Sequence, residues 1–166
     1  MTSTAGFETS QYLTFRLDRE LFAVDIAKVR EVLEISTVTK VPRTPDFMRG
    51  VINLRGNVVP VVDMRLKLGL PQTERTVNTC VVIAEVDIDG ERTILGALAD
   101  SVQEVIEIDG ANIVPPPRMG TRIDTSVIRG MGKRDEEFVI ILDIDRVFSG
   151  DDILTVAADA KALAVG

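Results

Sequence analysis

A strand pattern that occurs twice restricts a chain to two similar units or one unit with internal symmetry, and this chain repeats itself. Leu21-Phe-Ala-Val-Asp-Ile-Ala-Lys-Val-Arg-Glu-Val-Leu-Glu-Ile35 aligns without gaps on Ile94-Leu-Gly-Ala-Leu-Ala-Asp-Ser-Val-Gln-Glu-Val-Ile-Glu-Ile108. The shared core is Val-x-Glu-Val-(Leu/Ile)-Glu-Ile. Val58-Val-Pro-Val-Val-Asp-Met64 aligns in the same way on Phe138-Val-Ile-Ile-Leu-Asp-Ile144. Two matches in one order are hard to ascribe to chance between Val-rich strands. They predict two similar all-β lobes, about 12–70 and 77–148. Short strands with turn signals every 8–12 residues favour barrels over open sheets. At roughly 60–70 residues each lobe is near the lower limit for an independent core, so tight packing is expected, with strand exchange an open alternative.

Taken in order, residues 1–11 are small and polar and are expected to be disordered. Leu13, Phe15 and Leu17 alternate with polar neighbours, the pattern of a half-buried strand. A turn at Asp18-Arg19-Glu20 leads to a second strand, Leu21–Asp25, and residues 26–30 read as a helical turn. Thr44-Pro45 to Gly50 carries cap, first-turn and stop signals of a short helix. Val51–Leu54 and Val58–Val62 form a hairpin around Arg55-Gly56-Asn57, where Gly and Asn supply positive φ. Asp63 caps a short helix, Met64–Leu68, and Pro71–Thr76 is linker-like. Val77–Val86 and Thr93–Ala99 make a hairpin around residues 87–90. A strand Val102–Ile108 precedes a loop with Pro115-Pro-Pro-Arg118. Val127–Gly132 and Phe138–Leu142 make the last hairpin, and Asp143 caps a helix to Phe148. The tail, 149–166, is Ala-rich and is either helical or frayed.

Catalysis finds little to work with. The chain has no histidine, the commonest general base and metal ligand. Its single cysteine, Cys80, lies in an apolar run, reads as an inert core thiol, and cannot form an internal disulfide, which fits a reducing compartment. Gly130-Met-Gly132-Lys133 lacks the spacing of a phosphate loop and reads as a hairpin turn. Asp87-Ile-Asp-Gly90-Glu91 starts like a calcium loop, but Leu98 stands at the closing position, so a turn is the better reading. Asp151-Asp152 lies beside a helix end and is poorly placed for a preorganised acid–base pair. No enzyme, cofactor or metal is expected.

A net charge of −7 and 4% aromatic residues speak against nucleic-acid or anionic-membrane binding. No leader-like stretch opens the chain, and no apolar run approaches the roughly 20 residues of a membrane span, so a cytoplasmic location is expected. Protein–protein recognition remains. One candidate surface joins Arg55 at its hairpin tip to Val102 and Val105, an apolar groove with one cation, suited to an amphipathic helix. The competing reading makes Arg55 a solvated turn residue and both valines core. The valines are three residues apart, so they share a face only if the strand bends or begins after Val102. A second surface comprises Val29, Glu31 and the Phe47–Gly50 turn, and Glu31 has the charge to pair with Arg55.

The segment Arg49-Gly-Val-Ile-Asn-Leu-Arg-Gly-Asn-Val-Val-Pro-Val-Val-Asp-Met-Arg65, with Val29–Glu34 and Ala99–Val105, resembles the CheW family of bacterial chemotaxis coupling proteins. The resemblance spans about residues 12–148. Asp100-Ser-Val-Gln-Glu-Val105 follows the family pattern, with Ala99 in place of its leading valine. The resemblance implies an all-β fold with a few short helices: two intertwined five-stranded SH3-like barrels on a shared hydrophobic interface. It also implies a non-catalytic adaptor that couples chemoreceptors to the histidine kinase CheA. Arg55, Val102 and Val105 would then contact the cytoplasmic tips of the receptors. Val29, Glu31, Phe47 and Gly50 would contact the regulatory domain of CheA. The location implied is cytoplasmic, recruited to membrane-associated receptor arrays. The alternative from a different class is a small β-barrel module that binds an oligonucleotide or small ligand.

Overall fold

A computed structural model of the chain describes residues 9–35, 37–88, 90–116 and 125–148. The first half supplies strands β1 (Thr9–Leu17), β2 (Glu20–Asp25), β3 (Val29–Glu34), β4 (Met48–Leu54) and β5 (Asn57–Asp63), then helix α1 (Met64–Lys67). The second supplies β6 (Cys80–Ile88), β7 (Glu91–Ala99), β8 (Ser101–Asp109), β9 (Ile128–Arg134), β10 (Glu137–Leu142) and helix α2 (Ile144–Val147). They form two five-stranded sheets, ordered β8-β1-β2-β10-β9 (barrel A) and β3-β6-β7-β5-β4 (barrel B).

The repeat matches β3 to β8 and β5 to β10, and the two strand orders then become the same order with one exchange. Each barrel takes its leading hairpin from one half of the chain and its last three strands from the other. The halves 12–70 and 77–148 are therefore repeats in sequence, while in space each barrel draws on both. The halves join on both sides of each exchanged hairpin: antiparallel, β1 with β8 and β3 with β6, and parallel, Phe22↔Ile140 and Ala23↔Ile141 in barrel A and Val61↔Gly96 through Asp63↔Leu98 in barrel B.

Strand exchange explains why the parallel joining strands are apolar on both faces. Leu21 and Ala23 point into barrel A with Tyr12, Ile108, Val139 and Ile141. Their neighbours Phe22 and Val24 point the other way, into a central core shared with Val62, Val82, Ala84, Leu95 and Ala97 of barrel B. Val81 and Ile83 alternate in the same sense, filling barrel B with Ile52, Val59, Val61 and Leu98. Period-2 patterning thus separates three cores. Phe148, fully buried, and Ile144 and Val147 of α2 close the central one.

Both helices are capped as expected. Asp63 accepts from the Arg65 amide (3.0 Å), and Asp143 from the Arg146 amide (3.4 Å). Asp63 has a further role. Fully buried, it accepts from the Thr73 amide (3.0 Å), the Thr73 hydroxyl (2.7 Å) and the Arg49 guanidinium (3.2 Å). The linker-like 71–76 segment is therefore pinned to the fold at Thr73. Arg65, beside the cap, donates Nε to Asp100 (3.1 Å) and makes a second bond to the same carboxylate. Asp100 in turn accepts the Asp18 amide from the β1–β2 turn (2.8 Å), so one ionic knot ties the barrels together. The bonded Asp100 carboxylate raises the Arg65 guanidinium above its ordinary pKa.

Several expectations are corrected. Residues 44–50 are no helix: the Thr44 hydroxyl donates to the Val41 carbonyl (3.0 Å), Met48 closes a turn onto Pro45 (2.9 Å), and β4 starts at Met48. A helix would have withheld this backbone from the pairing with β5. Residues 9–11 belong to β1, paired with β8, and residues 1–8 and 149–166 lie outside the described residues. β6 starts at Cys80, and Val77 before it is 99% exposed. Cys80 is half-buried, its thiol 3.3 Å from the Asn78 carbonyl. Gly130 and Gly132 lie inside β9, and the turn falls at 135–136.

Two glycines at the corresponding seams, Gly50 and Gly130, show why. Each barrel seam is closed by a two-bond bridge, Thr39 with Val51 (2.9 and 2.8 Å) and Val114 with Met131 (2.9 and 2.7 Å). A Cβ on Gly50 would overlap the Thr39 carbonyl, and one on Gly130 the Ile113 side chain. Gly50 also has φ +147, whereas Gly56, at φ +87, has open space around it. Gly50→Ala should therefore lower stability by about 2–5 kcal/mol through backbone overlap and strain, against about 1 kcal/mol for Gly56→Ala. Urea unfolding midpoints at constant slope check this, and equal losses would remove the seam from the explanation.

Candidate functional site

The β4–β5 turn places its cation by an unusual backbone. Arg55 and Gly56 take the two positive-φ positions (51° and 87°), and Asn57 already belongs to β5. This is the arrangement of a two-residue hairpin whose twist matches its strands. Asn53 fastens the turn through its side chain, which accepts the Gly56 amide (2.8 Å). Arginine in the left-handed region costs about 1 kcal/mol or more, so something must hold it there. Arg55 donates two bonds to the Glu31 carboxylate, one of them 3.2 Å long. Sixty-nine per cent of its side chain still faces solvent.

Glu31 stands on β3, the edge of barrel B opposite β4, so this ion pair spans the seam that the Thr39–Val51 bridge closes. Hydrogen bonding from Arg55 holds the Glu31 carboxyl below its ordinary value of 4.5 and raises the Arg55 guanidinium. The pairing expected from opposite charges is present.

Val29 and Val32 flank Glu31 on the same strand. Val29 opposes Ala84 and Val32 opposes Val82, so three steps on β3 span two on β6, the signature of a bulge. The bulge puts both valines on the face that looks toward the central core, where Val29 packs and Val32 stays 39% exposed.

The β8 edge of barrel A is built on the same plan. Val102 opposes Phe15 and Val105 opposes Leu13, again three steps against two. This bulge resolves the three-residue spacing of the valines: they do share a face. Buried Thr14 fills it, its hydroxyl donating to the Glu104 carbonyl (2.6 Å) and accepting the Glu104 amide (3.1 Å). Val102 packs at the rim of the central core, and Val105 is 46% exposed. Neither valine is fully core.

Of the residues expected at the sites, Arg55 and Glu31 thus form one ionic unit with Val29 on barrel B, whereas Val102 and Val105 lie on the edge strand of barrel A. Phe47 is half-buried against the central core, with the Lys67 ammonium 4.7 Å over its ring. Gly50 is buried at the seam and offers no surface, so any effect it has on binding is through shape. Sequence reasoning missed Val32, Glu104 and Arg134, the last a β9 residue that forms an ion pair with Glu104 across the seam of barrel A. The repeat was the signal available for the first two, since it matches Val32 to Val105 and Glu31 to Glu104.

Each edge offers an apolar anchor, an unpaired strand margin and an ion pair, a surface for holding a partner. Among the described residues no cluster of ligating side chains could hold a metal ion. No helix among them is long and apolar enough to cross a membrane.

The fold has counterparts. The family model for a CheW-like domain matches residues 11–152. The chain belongs to the CheW-like family. It is 32% identical to the chemotaxis protein CheW of Klebsiella aerogenes over 92% of this chain and 89% of that one. It is 30% identical to CheW of Rhizobium meliloti, over 92% and 97%. Its structure is similar to the crystal structure of the scaffolding protein TtCheW from Thermoanaerobacter tengcongensis, with a TM-score of 0.75, 34% identity, and 92% and 96% coverage. Family membership agrees with two curled five-stranded sheets and a scaffolding role.

The Glu31–Arg55 pair makes a titration prediction. A carboxyl held below its unfolded value adds stability above that value and loses it as pH falls through the folded one. Glu31 should therefore titrate below 4.5 by carboxyl NMR and move back toward it in Arg55→Ala. An unmoved midpoint would mean the pair does not persist in solution.

Proposed function

We propose that the chain is a non-catalytic adaptor that couples chemoreceptors to the histidine kinase CheA. The observation that carries this reading is the pair of bulged edge strands, each with a valine pair at the rim of the central core and a carboxylate between the valines. An adaptor must hold two partners at once without chemistry, and two separate edges on one rigid body suit that task. Membership in a family of which one solved member is described as a scaffolding protein supports it.

In this reading Arg55, Val102 and Val105 face the cytoplasmic tip of a receptor, an amphipathic helical hairpin whose apolar ridge fits valine rims and whose acids or helix ends meet a guanidinium. Val29, Glu31 and Phe47 face the regulatory domain of CheA, with Gly50 shaping the seam beneath them. Barrel-edge to barrel-edge docking suits the strand margin of β3. The protein then works in the cytoplasm, recruited to receptor arrays in the membrane.

Co-sedimentation with receptor-containing membranes and purified CheA tests this. Wild type should recruit kinase, and Arg55→Ala should weaken recruitment about tenfold, the loss of one charge-assisted contact worth about 1.4 kcal/mol. Failure of folded wild type to recruit CheA with any receptor of the source cell would refute the adaptor reading. In a double-mutant cycle, Glu31→Ala and Arg55→Ala should be non-additive in their effect on partner affinity, because each removes the same ion pair.

A further inference from the structure

The cation at the β8 edge is Arg134. It comes from β9, the far edge of the barrel A sheet, and forms an ion pair with Glu104, the residue beside Val105. Arg55 makes its bonds to Glu31 on β3. The repeat matches Glu31 to Glu104, so each barrel closes its seam with an ion pair from a hairpin tip to the carboxylate of a bulged edge strand.

We propose that Arg134 is the specificity-determining cation of the β8 edge and selects a partner helix that carries an acid, or its C-terminal end, next to the valine-binding ridge. The inference rests on the reading of that edge as receptor-facing and adds to it the residue that reads charge there. Three observations support it. Arg134 is half-buried and Glu104 is 50% exposed at the side chain, so the guanidinium is fixed in place yet open to a second acceptor. Arg134 has donors to spare, because five N–H groups serve one carboxylate. Without it the β8 edge presents Glu104, Glu107 and Asp109 with no cation from its own strand, and an acidic partner would be repelled.

The tip is also braced. Arg16 donates to Glu137 at 2.9 Å, in a pairing that opens β10 directly across the turn from Arg134. That contact pulls the Glu137 carboxyl below its ordinary value, with a smaller contribution from Arg134. A guanidinium already held by Glu104, on a turn braced in this way, loses less freedom on binding than a free one.

The test uses the full chain, with thermal midpoints as a folding control, and reads two affinities: receptor-containing membranes and isolated CheA regulatory domain. Arg134→Ala should weaken membrane co-sedimentation about tenfold and leave CheA binding unchanged, and Arg134→Lys should retain most of it. The charge swap Glu104→Arg with Arg134→Glu rebuilds the ion pair with reversed polarity. It should recover the thermal midpoint without recovering receptor binding. Recovery of binding by the swap would overturn the proposal and leave the pair a seam closure alone. So would wild-type binding by Arg134→Ala when Val105→Glu fails to bind. Wild-type binding by Val105→Glu would instead remove the receptor-facing reading of the edge, and this inference with it.

Discussion

Everything in this structure depends on strands that are buried on both faces, above all the four that pair in parallel. β2 and β10 in one barrel, β5 and β7 in the other, pair in parallel across the boundary between the sequence halves. One face of each strand fills its barrel and the other fills the central core. Parallel pairing without covering layers on both sides is rare because it leaves apolar faces in water. Here each barrel is the covering layer of the other. Separation of the barrels would expose Phe22, Val24, Val62, Leu95 and Phe148 together, so the two barrels are one folding unit.

The repeat made two similar all-β units legible, though it left β3 unnamed as a strand, and the Asp caps fixed the helices to within a residue. What the repeat could not express was exchange. A β1–β2 hairpin has the same alternation whether it closes its own barrel or its neighbour's, because local periodicity encodes faces and not partners. Two-sided burial also hid the seam glycines. Gly50 looked like a helix stop because a stop and a close backbone crossing both call for glycine, and only the approach of Thr39 separates them. Thr73 looked like linker because its one strong partner, buried Asp63, already had an evident task as a helix cap.

At the edges, the legible part was chemical type and the hidden part was pairing. Opposite charges and a rigid turn were enough to bring Arg55 to Glu31. The valine spacing of three was awkward for a strand until a bulge filled by Thr14 supplied the missing step. Arg134 carried no signal, since it lies outside the gapless repeats and reaches Glu104 only because the sheet curls until its two edges meet.

The two edges share a shape but differ in how they hold charge, and the difference follows from the turn. In barrel B the guanidinium is on the left-handed turn residue itself, Arg55 at φ 51, a strained position held by Glu31. In barrel A the matching turn position is Asp135 at φ 54, a residue type that tolerates the left-handed region, and the cation has moved one place back to Arg134 on the strand. The first arrangement pushes the cation outward, with 69% of its side chain in solvent; the second lays it along the barrel wall at 36%. The two surfaces thus share one backbone plan but present their cations at different positions along the turn and at different exposures.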